Sequence, residues 1–273
     1  MAIGAYASAL LTTKVGVSFW LALPLAAVIA AIFGAVMGWV MLRARMGAFL
    51  LLTLCFAEVV RLTIVYWPSL LGGRAGFPNI PRPDSIAGMA FDSKFPYYYL
   101  ILFLLAVMVF VFYRMDRSKF GLIFKSIAQN PPLAQSVGVH LMRYKILAFT
   151  VACFFAGAAG SFYAHYLTFL SPEYFTVWKS LIVQMYAIIG GIGFMIAGPI
   201  AGAAFLVVLP ELLRATETFS FILYGAVFIL VIFFIPGGLL SLPQQVGVWR
   251  QALRRRAKIP GGIRPWQYLR PGS

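Results

Sequence analysis

The chain has 273 residues, of which 62% are apolar and 11% charged, and its mean hydropathy is +0.90. This composition excludes an ordinary water-soluble domain, in which about half of the residues are apolar and a quarter charged. The net charge of +15 comes largely from bases beside apolar segments, which is typical of membrane proteins and argues against a nucleic-acid surface.

Apolar runs predict helices that cross or enter a membrane along most of the chain. The first run holds only about eleven residues, too few for a bilayer span of roughly 20. The fold class is all-α, a polytopic helical membrane protein with about seven to eight transmembrane or partial-span helices. The predicted segments are residues 17–42, 46–67, 95–113, 146–170, 181–194, 196–213 and 219–235.

The distribution of Lys and Arg predicts the orientation of these helices. If the spans alternate, the loop after residue 42, residues 114–145 and the C-terminal tail share one side. That side holds most of the 22 bases and a single acid, Asp116. Bases concentrate on the cytoplasmic side, so we expect residues 1–243 to form a transmembrane domain and residues 244–273 a basic cytoplasmic tail.

Within the predicted segment at residues 46–67, Glu58 and Arg61 stand three residues apart on one helical face. Ionisable groups are costly inside a membrane and are often functional, so the pair is a candidate for the solute path or a gate. The alternative, which we favour, is an ion pair that serves packing, with Arg61 reaching towards the outer interface.

The polar segment of residues 114–145 predicts a first short amphipathic helix. Its apolar residues recur at spacings of three and four, which places them on one helical face. They are Phe120, Ile123, Phe124, Ile127 and Ala128.

A second short helix is predicted directly after the first. Asn130 supplies an N-cap oxygen, Pro131 suits the first helical position, and Gly138 can adopt the left-handed conformation that ends a helix. The apolar face of this helix could insert into a groove on another protein, or the loop could simply lie on the membrane, and residue chemistry alone favours neither. That face consists of Leu133, Ala134 and Val137.

Glycines late in the chain predict a tight break between two short helices with close backbone approach. Packing is the favoured role, and a role in selectivity is the alternative. The residues are Gly190, Gly191, Gly193, Gly198, Pro199 and Gly202. Near the outer end of an earlier span, Tyr163, His165 and Tyr166 are interpreted as interfacial anchors rather than substrate contacts.

Motifs for enzymatic chemistry are missing from the sequence. It has two cysteines, Cys55 and Cys153, which we interpret as packing residues, and two histidines. Neither HExxH, CxxC nor GxSxG occurs, which disfavours a zinc site and a membrane-bound enzyme. No Gly-Lys pair occurs either, so the chain has no Walker motif and any ATP must be bound by another subunit.

Specific motifs now give a resemblance that covers nearly the whole chain. FGLIFKSIAQN at residues 120–130 and LAQSVG at residues 133–138 resemble the cytoplasmic coupling loop of ABC importer permeases. More narrowly, the chain resembles M-type permease subunits of the Liv family, the branched-chain amino acid importers. Further matching segments are residues 4–6, 56–58 with Arg61, 144–149, 156–166, 171–173, 190–193, 198–199, 202–203, 209–213 and 236–239.

The resemblance implies a multi-pass permease subunit in a bacterial inner membrane, with its C-terminus in the cytoplasm. Its implied partners are a second, H-type permease, two ATPase subunits that use ATP, a periplasmic solute-binding protein and the lipid bilayer. No cofactor is expected on the chain itself, and no nucleic acid. The implied ATPase-coupling residues are Phe120, Gly121, Phe124, Ser126, Ala128, Asn130, Pro131, Leu133, Ala134, Val137 and Gly138.

Two departures from the family pattern and three alternatives accompany this interpretation. Family members usually have further hydrophobic helices before the position of Gly4, so the resemblance implies that the N-terminus is truncated relative to a longer natural chain. They also commonly carry an acidic and another polar residue where this chain has Pro131 and Pro132. The loop fold should tolerate both prolines, because they fall in a first helical turn. The alternatives are an ABC permease for urea, amides or small carboxylic acids, a self-contained secondary transporter or channel, and an integral membrane enzyme.

Overall fold

A computed structural model describes residues 1–44, 46–84, 94–191, 193, 196–212 and 225. The chain divides into two compact units, residues 1–181 and residues 182–273. The described residues form these α-helices: α1 (Ala2–Thr13), α2 (Phe19–Met41), α3 (Met46–Tyr66), α4 (Pro68–Leu71), α5 (Lys94–Asp116), α6 (Lys119–Gln129), α7 (Pro131–Ser136), α8 (Leu141–Leu167), α9 (Val177–Gly190) and α10 (Ala197–Leu212).

Four of these helices, α2, α3, α5 and α8, are long and apolar enough to cross a membrane. Helices α2, α5 and α8 coincide with the three clear predicted spans, and α3 coincides with the segment at residues 46–67, which the sequence predicts as a shorter or broken span. These helices confirm the all-α, polytopic fold class. Helices α9 and α10 are shorter apolar helices at the two predicted partial spans. The predicted span at residues 219–235 and the basic tail at residues 244–273 lie outside the described residues.

Helix α1 is too short to span a membrane, as predicted, yet it is a central element of the first unit. Gly4 lies so close to Gly157 of α8 that an added Cβ would collide with the Gly157 backbone. At the same contact, the Ser8 hydroxyl lies 2.7 Å from the Ser161 hydroxyl, and both side chains are buried. Small residues therefore let α1 and α8 approach closely, as is usual for helices in membranes.

Helices α2 and α8 meet along a second line of small residues. A Cβ at Gly34 would collide with the side chain of Cys153, and one at Gly38 would lie 2.9 Å from the Phe149 ring. The prediction that Cys153 packs is confirmed, whereas Cys55 lies exposed on α3. Together with α1, these helices form the close-packed part of the first unit.

One end of the first unit is closed by the segments that follow α3 and α8. Phe77 and Leu170 form an isolated β-bridge, with N–H to oxygen distances of 2.7 and 3.0 Å. Ile80 donates a further hydrogen bond to the Thr168 carbonyl at 3.1 Å. We call this the outer end, after the side that the sequence predicts for its loops.

The opposite end carries the beginnings of α3 and α8. The rings of Phe49 and Phe149 lie 6.3 Å apart there, so both helices start on the same side. Helices α6 and α7 connect α5 to α8 at this end. The predicted alternation of spans places this end in the cytoplasm.

Candidate functional site

The segment from α6 to the start of α8 forms the candidate site. The close approach of α6 to the end of α5 requires a residue without a side chain at Gly121. The backbone of Gly121 lies against the Asp116 carbonyl at the end of α5, where an added Cβ would collide with that oxygen. Lys125 on α6 forms a salt bridge with Asp116 at 2.7 Å. This pair is partly exposed and adds little stability, so its effect is to orient α6 against the end of α5.

Helix α6 rests on the beginning of α8 through aromatic contacts. The rings of Phe120 and Phe124 lie 6.5 and 6.4 Å from the Tyr144 ring, and Ile127 is buried. The predicted apolar face is therefore present, with one correction. Ala128 is exposed, because it lies about 100° around the helix from Ile127 and turns away from the contact.

Ser126 and Asn130 are both satisfied within the loop. The Ser126 hydroxyl donates to the Ile123 carbonyl at 2.8 Å, inside its own helix. The Asn130 side-chain oxygen accepts a hydrogen bond from the Leu133 N–H at 3.2 Å, so Asn130 is the N-cap of α7. Pro131 and Pro132 occupy the first two helical positions, and the first turn of α7 contains no acidic residue.

The other end of α7 is closed by a Schellman pattern around Gly138. Gly138 has a φ of +88°, in the left-handed region. Its N–H donates to the Gln135 carbonyl at 3.0 Å, and the Val139 N–H donates to the Ala134 carbonyl at 3.1 Å. This pair of hydrogen bonds satisfies carbonyls that a six-residue helix would otherwise leave open.

The surface that α7 offers is narrower than predicted. Leu133 and Val137 are 62% and 75% exposed, whereas Ala134 is only 3% exposed. The prediction that Ala134 shares the docking face is wrong, because Ala134 points into the chain's own packing. Leu133 and Val137, four residues apart, lie on one helical face and form an exposed apolar pair that we call the α7 tip.

Glu58 and Arg61 form the ion pair that the sequence predicts. The Arg61 Nε lies 3.0 Å from each carboxylate oxygen of Glu58, and its Nη2 contacts the same group. Both side chains are partly buried. Arg61 also lines a pocket of about 350 Å³ at the outer end, together with Arg74 and Glu173.

Sequence reasoning missed this outer pocket. Arg74 and Glu173 are ordinary charges of outer loops in the sequence, and the Phe77–Leu170 bridge and the Ile80–Thr168 hydrogen bond bring their segments together. Their charge and their position in the sequence predict that both residues lie on the outer side. They do not predict that the two residues lie close to each other.

The glycines of the second unit pack helices. An added Cβ at Gly190 would collide with the Gly198 carbonyl, and one at Gly202 would collide with the Tyr186 carbonyl. Gly191 has a φ of +115° at the break after α9, and Pro199 falls in the first turn of α10. This geometry supports the packing interpretation, except at Gly193, where nothing lies within 4 Å of an added Cβ.

His165 does not lie at an interface as predicted. It is fully buried, its ring centroid lies 4.7 Å from that of Phe19, and its Nδ1 lies 2.8 Å from the Ser161 carbonyl. Tyr166 is 46% exposed and remains compatible with an anchor. The sequence could not reveal this difference, because both residues are adjacent in the last turn of the same apolar helix, α8. Among the described residues, no group of three metal-ligating side chains occurs.

Comparison with known proteins gives one family. Residues 1–235 match the family described as "Branched-chain amino acid transport system / permease component". The high-affinity branched-chain amino acid transport system permease proteins LivM of Salmonella typhimurium and Escherichia coli are each 32% identical over 263 residues. The match covers 88% of this chain and 62% of each relative, so the chain spans less than two thirds of their length. No solved structure matches.

Proposed function

This chain belongs to the family of branched-chain amino acid transport permease components, and on that premise we propose that it is the M-type permease subunit of an ABC importer. The importer carries branched-chain or related amino acids across the bacterial inner membrane into the cytoplasm. Its chemical energy comes from ATP that two separate ATPase subunits bind, because this sequence has no Walker motif.

The α7 tip is the observation that carries this proposal. Leu133 and Val137 are exposed apolar side chains on a helix that is capped at both ends. A short helix without caps would fray in water, so these caps hold a small apolar surface in a fixed orientation. Such a surface suits insertion into a groove on a motor subunit.

A continuous chain of contacts leads from the α7 tip to the membrane helices. Helix α6 is joined to α8 through the rings of Phe120, Phe124 and Tyr144. Helix α8 in turn packs closely against α1 and α2 through Gly157 and Cys153. When ATP binding shifts the motor between two arrangements, a rigid connection of this kind transmits the displacement and biases the permease between its own two states.

The exposed faces of α3 and α5 support a multi-subunit assembly. Few residues of either helix are buried within this chain. Two helices with so little internal packing need neighbours in the membrane, and we propose that lipid and a second, H-type permease supply them. A periplasmic solute-binding protein delivers the solute at the outer end, and the basic tail at residues 244–273 lies in the cytoplasm.

Reconstitution of the whole importer tests this function. The chain is co-purified with the second permease and both ATPases, placed in proteoliposomes, and supplied with the binding protein and ATP. The proposal predicts uptake of radiolabelled leucine that stops when ATP or the binding protein is omitted. Uptake that persists without the ATPases would identify a self-contained transporter, and uptake of urea, acetamide or propionate in place of leucine would overturn the proposed substrate.

A further inference from the structure

The outer pocket lies at the end of the first unit opposite to the α7 tip, and nothing in the coupling mechanism uses it. We propose that it is a receiving site for the zwitterionic backbone of an amino acid that enters the permease. This inference rests on the proposed function, and names the chemistry by which the outer end recognises its solute.

The pocket has the size and lining that such a ligand requires. Its volume is about 350 Å³, near the lower end of the range for small-molecule sites. Charged groups converge on it from three separate segments, namely Arg61 of α3, Arg74 of the turn after α4, and Glu173 of the turn after α8. Apolar atoms of Leu62 and Val65 complete the wall, and they provide a surface for a branched aliphatic side chain.

The arrangement of charge distinguishes a zwitterion from simpler ions. Arg61 is neutralised by Glu58, which holds its guanidinium through Nε and Nη2. Arg74 and Glu173 are exposed, and neither side chain has an ion pair within the described ranges of the chain. Glu173 interacts with Arg61 only electrostatically, without a salt-bridge contact. The pocket therefore presents one open cation and one open anion.

An amino acid satisfies both open groups at once. The Arg74 guanidinium can donate two parallel hydrogen bonds to the α-carboxylate, and the Glu173 carboxylate can accept from the α-ammonium. A carboxylic acid would leave Glu173 without a partner, while urea or an amide would satisfy neither charge in full. Groups left unpaired disfavour the wrong ligand. Because the contacts are open to water, binding is weak, as suits a site that must release its solute onwards.

Photo-crosslinking on the assembled importer tests the site. Photo-leucine, a diazirine analogue of leucine, is added at millimolar concentration without the binding protein, and labelled peptides are mapped by mass spectrometry. We expect labelling within residues 62–66 that excess leucine suppresses. Leucinamide, which lacks the carboxylate, and 4-methylpentanoate, which lacks the ammonium, should not suppress it at the same concentration.

Two neutral variants identify the contacts. Arg74→Gln and Glu173→Gln should each reduce the labelling about five- to tenfold, the size expected for the loss of one ordinary, water-accessible hydrogen-bonded contact. Lys14→Gln is the matched control, because Lys14 is an exposed outer base that does not line the pocket. Its labelling should equal that of the unaltered protein.

Three results would overturn the site. They are absence of labelling in this segment, labelling of both pocket variants that equals that of the unaltered protein, and competition by leucinamide that equals competition by leucine. If Arg74→Gln instead raises the binding-protein concentration that half-maximally stimulates ATPase activity while labelling stays constant, the pocket is a docking contact and the inference is wrong. Leucine uptake by the unaltered importer separates failure of the pocket from failure of the proposed function. Uptake without labelling refutes the pocket alone, whereas absence of uptake refutes the proposed function.

Discussion

The side-chain oxygen of Asn130 accepts a hydrogen bond from the backbone N–H of Leu133 at 3.2 Å. Asn130, the N-cap of α7, therefore also fixes the backbone of Leu133, which is one of the two residues of the α7 tip. Local capping and the proposed docking surface are thus parts of one short structure, and substitutions can separate their contributions.

Leu133→Asp should uncouple the motor from the permease. The substitution places a charge in the apolar α7 tip, where a docking contact would have to bury it. We expect leucine uptake and ATPase stimulation by the binding protein to fall at least about tenfold, in line with the loss of an interface hot spot. Leu122→Asp is the matched control, because Leu122 is 67% exposed on α6 but lies outside the α7 tip. Equal losses in both variants would contradict the assigned surface.

Gly138→Val should weaken coupling through the backbone alone. Nothing lies within 4 Å of an added Cβ, so no steric clash arises, but φ is +88° and a β-branched residue is strained there by about 1–3 kcal/mol. We expect reduced uptake with normal assembly. Gly138→Asn should retain most activity, since asparagine tolerates this conformation better than other residues. If the valine variant transports as well as the asparagine variant, the Schellman closure of α7 is irrelevant to function.

Gly121→Ala should loosen the attachment of α6 to α5. The added Cβ would collide with the Asp116 carbonyl, so the turn between the helices must open. We expect a lower melting temperature of the purified complex and a loss of coupling. Gly47→Ala is the control, because an added Cβ there has nothing within 4 Å and alanine favours helix. A melting temperature that is unchanged for Gly121→Ala would show that the turn accommodates a side chain.

Glu58→Gln separates the two interpretations of the intramembrane pair. A packing role predicts that the single variant assembles poorly, because it leaves the partly buried Arg61 without its charge partner. The double variant Glu58→Gln/Arg61→Gln should recover assembly. Uptake per assembled complex should stay within about twofold of normal, because Glu58 neutralises Arg61 and the proposed outer site contacts its ligand through Arg74 and Glu173. Recovery of assembly without uptake would instead place the pair in the solute path. Thermal unfolding and quantified uptake on the same preparations distinguish these outcomes.

Local signals made much of the structure predictable. The apolar runs predict the four long helices because span length is set by the bilayer rather than by distant contacts. The two ends of α7 are equally local, since Asn130 and Gly138 act on residues within a few positions of themselves. The pairing of Glu58 with Arg61 was predictable for the same reason, because the two residues are only three positions apart on one helix.

Non-local packing was not predictable from these signals. Ala134 is apolar, as are Leu133 and Val137, and only the placement of α7 against the rest of the chain decides that Ala134 is buried while Val137 is exposed. His165 is buried because Phe19 of another helix covers it. The outer pocket depends on segments about a hundred residues apart in sequence, which the Phe77–Leu170 β-bridge and the Ile80–Thr168 hydrogen bond hold together.

Cysteine crosslinking of the α7 tip tests the central claim most directly. Leu133→Cys is introduced into a background in which Cys55 and Cys153 are replaced by serine, and the importer is assembled with its ATPase subunits. We predict that the residue 133 thiol crosslinks to an ATPase subunit in inverted membrane vesicles, and that a membrane-impermeant maleimide added outside intact cells does not label it. Labelling from the outside, or a fully active importer whose residue 133 thiol never crosslinks to an ATPase, would contradict the account.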